Sequence, residues 1–111
     1  VNRLQFDSAN AQAPLRGGGI QLAAKAAAAR ALAYQAAELA AAGKECLREV
    51  SMVKALSPEV LHEVVHGCLQ LHGGSGFMRG TAIERMVRDA RVLTIGGGAT
   101  EVMLEEVAKR M

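Results

Sequence analysis

Aromatic residues are scarce in this 111-residue chain: they make up 3% of it, and tryptophan is absent, although half of the residues are hydrophobic. A core without large aromatic side chains is built from aliphatic residues and alanine, which favours close-packed helices over a sandwich of strands. No apolar run reaches the ~20 residues that a membrane-spanning helix needs, and no signal peptide is visible. The sequence therefore predicts an all-α fold without a membrane span.

A strong excess of one charge is also lacking, since 13 basic residues stand against 11 acidic ones and the net charge is +2. The arginines alternate with glutamate and aspartate rather than forming one patch, which argues against nucleic-acid binding. Cys46 and Cys68 share no metal-binding or redox spacing, and we expect them to be reduced and buried. Together with the alanine- and arginine-rich composition, these features predict a cytoplasmic protein of a bacterium.

Apolar residues recur at helical spacing along most of the chain, and no stretch alternates as a strand does. The predicted helices run from Ile20 to Ala42, from about Glu45 to His72, from Ala82 to Arg91 and from Thr100 to Arg110. Gly43 is predicted to cap the first helix at its C-terminus. Ser57-Pro58 lies in the path of the second helix, either as the start of a new helix or as a kink in a long one. Residues 1–19 are predicted to form an irregular lead-in.

Two glycine clusters, Gly73-Gly74-Ser75-Gly76 and Gly96-Gly97-Gly98, lie between the predicted helices. Because glycine has no Cβ, backbone N–H groups in such a turn can come close to a ligand. The second cluster leads directly into the last predicted helix, whose N-terminal amides attract an anion or a polarised carbonyl. The alternative is that both clusters are simple turns that end helices. Spacing alone leaves both interpretations open.

A different motif, His62-Glu63-Val64-Val65-His66, has the H-E-x-x-H form in which two histidines bind zinc and the glutamate acts as a general base. His72 stands where the extended form of the motif places a third histidine. The glycine that turns the chain back toward the metal is replaced by Leu69, so an unbroken helix carries His72 off to the side. A zinc hydrolase is therefore a remote alternative, and we expect ordinary histidines and no metal.

Three linked stretches resemble signature motifs of the acyl-CoA dehydrogenase family. The family's Q-I-H-G-G-x-G-F/Y signature is similar to Gln70-Leu71-His72-Gly73-Gly74-Ser75-Gly76-Phe77. Its V/I-E-R-x-x-R-D-A-R and I-Y-E/G-G-T-x-E-I motifs are similar to the stretches from Ile83 to Arg91 and from Ile95 to Val102. The likeness has the family's order and spacing from Tyr34 onward. It is weakest between Asp7 and Gly19, although Arg3 and Phe6 fit the upstream R-x-x-F.

The resemblance implies a single domain over residues 1–111, an antiparallel helical bundle that is the C-terminal domain of a larger flavoenzyme and lacks its first helix. It implies FAD-dependent α,β-dehydrogenation of an acyl-CoA substrate, an electron-transferring flavoprotein as partner and a dimeric or tetrameric homo-oligomer. The implied cofactor contacts are Arg3, Phe6, Gln70, Leu71, His72, Gly73, Gly74, Ala99, Thr100 and Glu101. Gly97 and Gly98 are implied to meet the substrate, with the Gly97 N–H on the thioester carbonyl.

Two positions depart from the family's pattern. Ala99 replaces a threonine, so one hydrogen bond to the cofactor is missing, and the usual catalytic glutamate aligns with Gly97, which cannot accept the α-proton. Either the base lies on an earlier helix, before Val1, or the protein is a non-catalytic homologue that serves as a structural or interaction subunit. We expect the former: a fragment or processed chain that is inactive alone and associates to cover an exposed apolar face.

Overall fold

The computed structural model describes residues 18–111, and the predictions for Arg3 and Phe6 lie outside the described residues. The described part is built from helices and contains no strand: α1 (Gly18–Ala41), α2 (Leu47–Leu71), α3 (Gly74–Phe77), α4 (Ala82–Ala90), a 3₁₀ turn (Arg91–Thr94) and α5 (Thr100–Ala108). The all-α prediction is confirmed. None of the helices within residues 18–111 is both long and apolar enough to cross a membrane.

Helix α2 is the central element: it contacts α1, α4 and α5, and α1 runs antiparallel to it. Near the start of α1, the side chain of Leu22 lies so close to Gly67 that a Cβ there would come within 2.7 Å of Leu22 Cδ1. One turn further on, Lys25 pairs with Glu63, four residues earlier in α2. Residues later in α1 thus contact residues earlier in α2, so the two helices are antiparallel, as expected for the predicted antiparallel bundle.

The termini of these helices follow from local hydrogen bonding. Gly43 has a φ of +66°, and its N–H donates to the Ala40 carbonyl at 3.0 Å while the Lys44 N–H donates to the Leu39 carbonyl at 3.0 Å. This pair of bonds is a Schellman motif, so the predicted C-cap at Gly43 is confirmed. At the start of α4, Thr81 Oγ1 accepts the N–H of Glu84 at 3.4 Å and caps the helix.

The structure decides between the two interpretations of Ser57-Pro58. Helix α2 continues through both residues, so Ser57 does not start a new helix. Its Oγ instead donates to the Val53 carbonyl at 2.6 Å, one turn back in the same helix. Because proline has no N–H, the carbonyl of Lys54 loses its usual partner within α2.

Small residues form much of the core. The most buried cluster joins α2 to α4 and consists of Val65, Ile83 and Ala90, with Leu61, Cys68, Leu69 and Val87 packed around it. Between α1 and α2 the buried side chains include Ala29, Ala36 and Ala55. Cys46 and Cys68 are only half-buried, which corrects the expectation that both are buried.

Some predicted boundaries were wrong. Helix α1 begins at Gly18 rather than Ile20, so Gly18 and Gly19, which were predicted to belong to the irregular lead-in, are part of the helix. Helix α3, a single turn after Gly73, was not predicted, since four residues carry no periodic signal. The last turn after α4 tightens into the 3₁₀ turn, a common end for an α-helix.

Large apolar side chains remain in contact with solvent at several places in the described part. Val92 and Ile95, on either side of Leu93 and Thr94, are about 60% exposed, and Val102 and Leu104 on α5 are about half exposed. Phe77, at the end of α3, is 88% exposed. These exposed apolar side chains agree with the exposure expected from the sequence, whereas one contiguous apolar face and association of chains through it stay predictions.

Candidate functional site

The first glycine bend (Gly73–Gly76) follows the C-terminus of α2. Gly73 has a φ of +55°, and its N–H donates to the Gln70 carbonyl at 3.1 Å. Ser75 Oγ donates to the His72 carbonyl at 2.6 Å, which fixes the turn into α3. A Cβ added to Gly73 or Gly74 would meet no atom within 4 Å. The backbone at these two glycines is therefore open for the close approach of a ligand.

The side chains before this bend are exposed, and one of them has a defined orientation. Nδ1 of His72 lies 2.8 Å from the Cys68 carbonyl oxygen. A carbonyl can only accept, so Nδ1 carries the hydrogen of this bond and Nε2 is the ring nitrogen left for a ligand. Gln70 adds an exposed amide next to it. The first bend thus combines open backbone with groups that can bond a sugar or a base, the adenosine half of FAD that the resemblance implies.

The second glycine bend (Gly96–Gly98) connects the 3₁₀ turn to α5. The N–H of Gly96 donates to the Val92 carbonyl at 2.7 Å, which closes the turn. Gly97 and Gly98 have φ values of +70° and +106°, a region that side chains with a Cβ rarely adopt. At Gly98 a Cβ would also come within 2.7 Å of Met103 Cε. The bend therefore favours glycine at these positions.

The N-terminus of α5 lies directly after the second bend and has no side-chain cap. Ala99, the N-cap residue, makes no side-chain hydrogen bond to the helix, and its carbonyl accepts the Met103 N–H at 3.1 Å. The first amides of α5, including those of Thr100 and Glu101, have no partner within the helix. Such amides carry partial positive charge and favour an anion or a polarised oxygen.

A cleft of about 480 Å³ opens between α2, the 3₁₀ turn and the start of α5, and it is lined by Glu59, His62, Glu63, Arg91, Thr94, Ile95, Ala99, Thr100 and Glu101. The cleft thus brings Ala99, Thr100 and Glu101 of the predicted cofactor set next to His62, the first histidine of the zinc motif. Nε2 of His62 is buried without a hydrogen-bond partner among the described residues. Its ring stacks on His66, with centroids 5.9 Å apart.

The zinc motif does not form a ligand set. Among residues 18–111, no group of three or more histidine, cysteine, aspartate or glutamate side chains is arranged to hold a metal ion. Glu63 pairs with Lys25, and His72 bonds the Cys68 carbonyl instead of approaching His66. The geometry therefore gives no support to the zinc hydrolase.

The structure does not bring the two bends together. Lys54, which bonds the Leu93 carbonyl just before the second bend, and Leu71, which precedes the first, are both in α2 and 17 residues apart. At about 1.5 Å per residue this separation is roughly 25 Å. Each bend therefore has its own surroundings. The family resemblance implies such a division, with Gln70 to Gly74 meeting the FAD of a partner subunit and Ala99 to Glu101 meeting the FAD held by their own subunit.

Sequence reasoning missed Lys54 as a residue of the site. Its Nζ donates to the Leu93 carbonyl at 2.6 Å, at the entrance to the second bend. The one available signal is its place at the edge of the apolar face of α2, next to Val53, where a lysine is unusual unless it has a partner.

Comparison with known proteins identifies the family to which this helical fold and its two glycine bends belong. Residues 2–111 match the family described as acyl-CoA dehydrogenase, C-terminal domain. Because the match extends over nearly the whole chain, the protein belongs to the acyl-CoA dehydrogenase family.

Particular relatives agree with this assignment. The chain is 43% identical over 93 residues to acryloyl-CoA reductase (NADH) of Anaerotignum propionicum, covering 80% of this chain and 24% of that protein. It is 40% identical over 81 residues to the caffeyl-CoA reductase-Etf complex subunit CarC of Acetobacterium woodii, covering 73% and 21%. The structure matches that of a probable acyl-CoA dehydrogenase of Mycobacterium abscessus with a TM-score of 0.84 at 32% identity, covering 98% and 29%. The chain thus spans about a quarter of each relative.

Proposed function

We propose that this chain supplies cofactor and substrate contacts to an FAD-dependent enzyme that dehydrogenates an acyl-CoA thioester between its α and β carbons. The observation that carries the proposal is the second bend, where two glycines with positive φ lead into the uncapped N-terminus of α5. Membership of the acyl-CoA dehydrogenase family supports the same reaction. Two relatives are named as reductases of acryloyl-CoA and caffeyl-CoA. The nearest variant of the proposed activity is therefore the reverse reaction, reduction of the same carbon–carbon bond.

The residues present fit an FAD cofactor, although they do so at two separate places. Gly73 and Gly74 leave open space beside the backbone, and Gln70, Leu71 and His72 stand exposed next to them. The amides of Ala99, Thr100 and Glu101 favour negative charge at the other place. Arg3 and Phe6 complete the proposed set on the strength of the resemblance. When bound, FAD accepts the hydride from the β carbon.

The role proposed for Gly97 is to stabilise charge on the substrate. Its backbone N–H donates to the thioester carbonyl, where negative charge develops as the α-proton leaves, and this lowers the pKa of the α-C–H bond. Gly98 keeps the bend in the shape that leaves this amide accessible. Glycine cannot accept the proton, so the base comes from another helix of the whole enzyme.

A non-catalytic subunit of the same fold is the second candidate, and the residues at positions 97 and 99 favour it. The two candidates differ in what the full-length protein does with a flavin. An enzyme shows the visible absorbance of oxidised flavin, and that absorbance bleaches when acyl-CoA thioesters are added without oxygen. Flavin-containing protein that no acyl-CoA bleaches, or protein without flavin, contradicts the enzyme and favours the subunit.

The proposed partners are an electron-transferring flavoprotein and further copies of the same chain, in a bacterial cytoplasm. The name of the Acetobacterium woodii relative places that protein in a complex with Etf. The half-exposed apolar side chains of Val102 and Leu104 support burial against other protein surface. Light scattering on the isolated chain tests association: a dimer or larger assembly is expected, and a monomer at high concentration contradicts it.

A further inference from the structure

The second bend has few apolar contacts that could fix its position. Val92, Leu93 and Ile95, which lead into it, are between 44% and 60% exposed. Its own turn is closed by local bonds, since the Val92 carbonyl accepts the N–H groups of both Ile95 and Gly96. Local bonds set the shape of a turn but not where it lies relative to a neighbouring helix. A contact from another element has to do that.

Lys54 provides such a contact from α2. Its Nζ donates to the Leu93 carbonyl at 2.6 Å, a bond between residues 39 positions apart in the sequence. Hydrogen bonds from a charged donor are shorter and stronger than neutral ones. The side-chain stem also lies beside the bend, because a Cβ added to Gly97 would be 3.8 Å from Lys54 Cε. One side chain therefore holds the entrance of the bend and lies next to its middle.

We propose that Lys54 is a positioning residue for the second bend: its bond to Leu93 fixes where the Gly97 amide is presented to the thioester carbonyl. The effect of Lys54 on catalysis rests on the function proposed above. Its effect on the position of the bend concerns this chain alone. Displacement of a catalytic donor by about 1 Å can reduce turnover by about a hundredfold, so a single tether of this kind affects the rate.

Three variants of the full-length protein test the proposal. Lys54→Met keeps an unbranched apolar stem and removes the ammonium, while Lys54→Arg restores a charged donor. Lys44→Met is the matched control, because Lys44 is an exposed lysine in the loop after α1, away from the bend. In Lys54→Met we expect kcat to fall about tenfold to a hundredfold, with KM, flavin content and melting temperature close to those of the control. Lys54→Arg is expected to recover most of the loss.

Amide hydrogen exchange supplies a readout that needs no activity. Peptides that contain residues 92–98 are expected to exchange about tenfold faster in Lys54→Met than in wild type or the control, since one charge-assisted bond is lost. Unchanged exchange in these peptides overturns the proposal, as does faster exchange with an unchanged kcat. A fall in kcat that merely follows loss of flavin or of thermal stability also overturns it. If wild type shows no dehydrogenase activity at all, the proposed function fails, and exchange alone decides whether Lys54 holds the bend.

Discussion

Alanine substitution at two glycines of the first bend should have opposite effects on stability. Gly74 and Gly76 are two residues apart in α3, and neither has a positive φ. A Cβ at Gly74 would meet nothing within 4 Å. A Cβ at Gly76 would lie 2.7 Å from the Leu69 carbonyl oxygen and 3.3 Å from His72 Cβ. Alanine at position 74 therefore only restricts the unfolded chain, whereas alanine at position 76 pushes its backbone away from that of Leu69.

The expected magnitudes follow from these contacts. Gly74→Ala should raise the free energy of unfolding by about 0.4–1 kcal/mol, because alanine restricts the unfolded chain and favours helix. Gly76→Ala should lower it by about 1–3 kcal/mol, the usual cost of inserting an atom into packed surroundings. Urea denaturation of the 111-residue chain, followed by circular dichroism, measures both differences. Equal effects of the two variants, or a neutral Gly76→Ala, would show that the Leu69 carbonyl is not where the structure places it.

The same pair separates stability from cofactor binding. In the full-length protein, the added methyl group at Gly74 occupies the open space that is proposed to receive the adenosine half of FAD. Gly74→Ala should therefore weaken flavin retention even though it stabilises the chain, and flavin content after dialysis measures this. A variant that is more stable and also keeps its flavin would refute the placement of the cofactor at the first bend.

Three further predictions concern the core, the start of α5 and acid stability. Ile83→Ala, in the buried cluster, should lower the free energy of unfolding by about 2–5 kcal/mol in urea denaturation; the same change at Ile20, which is 66% exposed, should have an effect within about 0.5 kcal/mol. Ala99→Thr restores an N-cap hydroxyl and should raise stability by about 0.5–1 kcal/mol while increasing flavin retention in the full-length protein. The Lys109 ammonium beside Glu106 lowers the pKa of that carboxyl. The stability that this ion pair contributes is present above the unfolded pKa of about 4.3 and is lost as pH falls through the folded pKa. Wild type should therefore lose more stability in acid than Glu106→Gln.

The parts of the fold that were predictable are those in which one local cause decides the structure. Helix α2 shows a sustained apolar face, and the glycine at position 43 stands where a Schellman motif needs a residue with positive φ. The start of α1 was misplaced because Gly18 and Gly19 have low helix propensity. The packing of α1 against α2 at Gly67 is a tertiary contact that no local sequence pattern reveals, and such contacts override helix propensity.

The candidate site was predictable in its residues but not in its geometry. Glycine clusters and linked motifs indicated both bends, yet no spacing rule gives the separation of roughly 25 Å along α2. The bond between Lys54 and the Leu93 carbonyl joins residues 39 positions apart, so only the packed structure shows it. The cleft beside Thr100 was likewise missed, because it depends on how α5 is laid against α2.

The surroundings of Gly97 help to decide between the two proposed functions, because they show how well position 97 could hold a catalytic base. A residue with a Cβ at the φ of +70° found there would cost about 1–2 kcal/mol, which is small against the 10²–10⁴-fold that a general base typically contributes. The space for a side chain exists, since the nearest atom to such a Cβ is Lys54 Cε at 3.8 Å. A carboxylate placed there would, however, lie beside the Lys54 ammonium, and an adjacent positive charge lowers the pKa of a carboxyl and weakens it as a base. The surroundings of Gly97 thus suit a neutral amide donor better than a proton acceptor. This favours an enzyme whose base sits on another helix over one that lost its base from a site built to hold it.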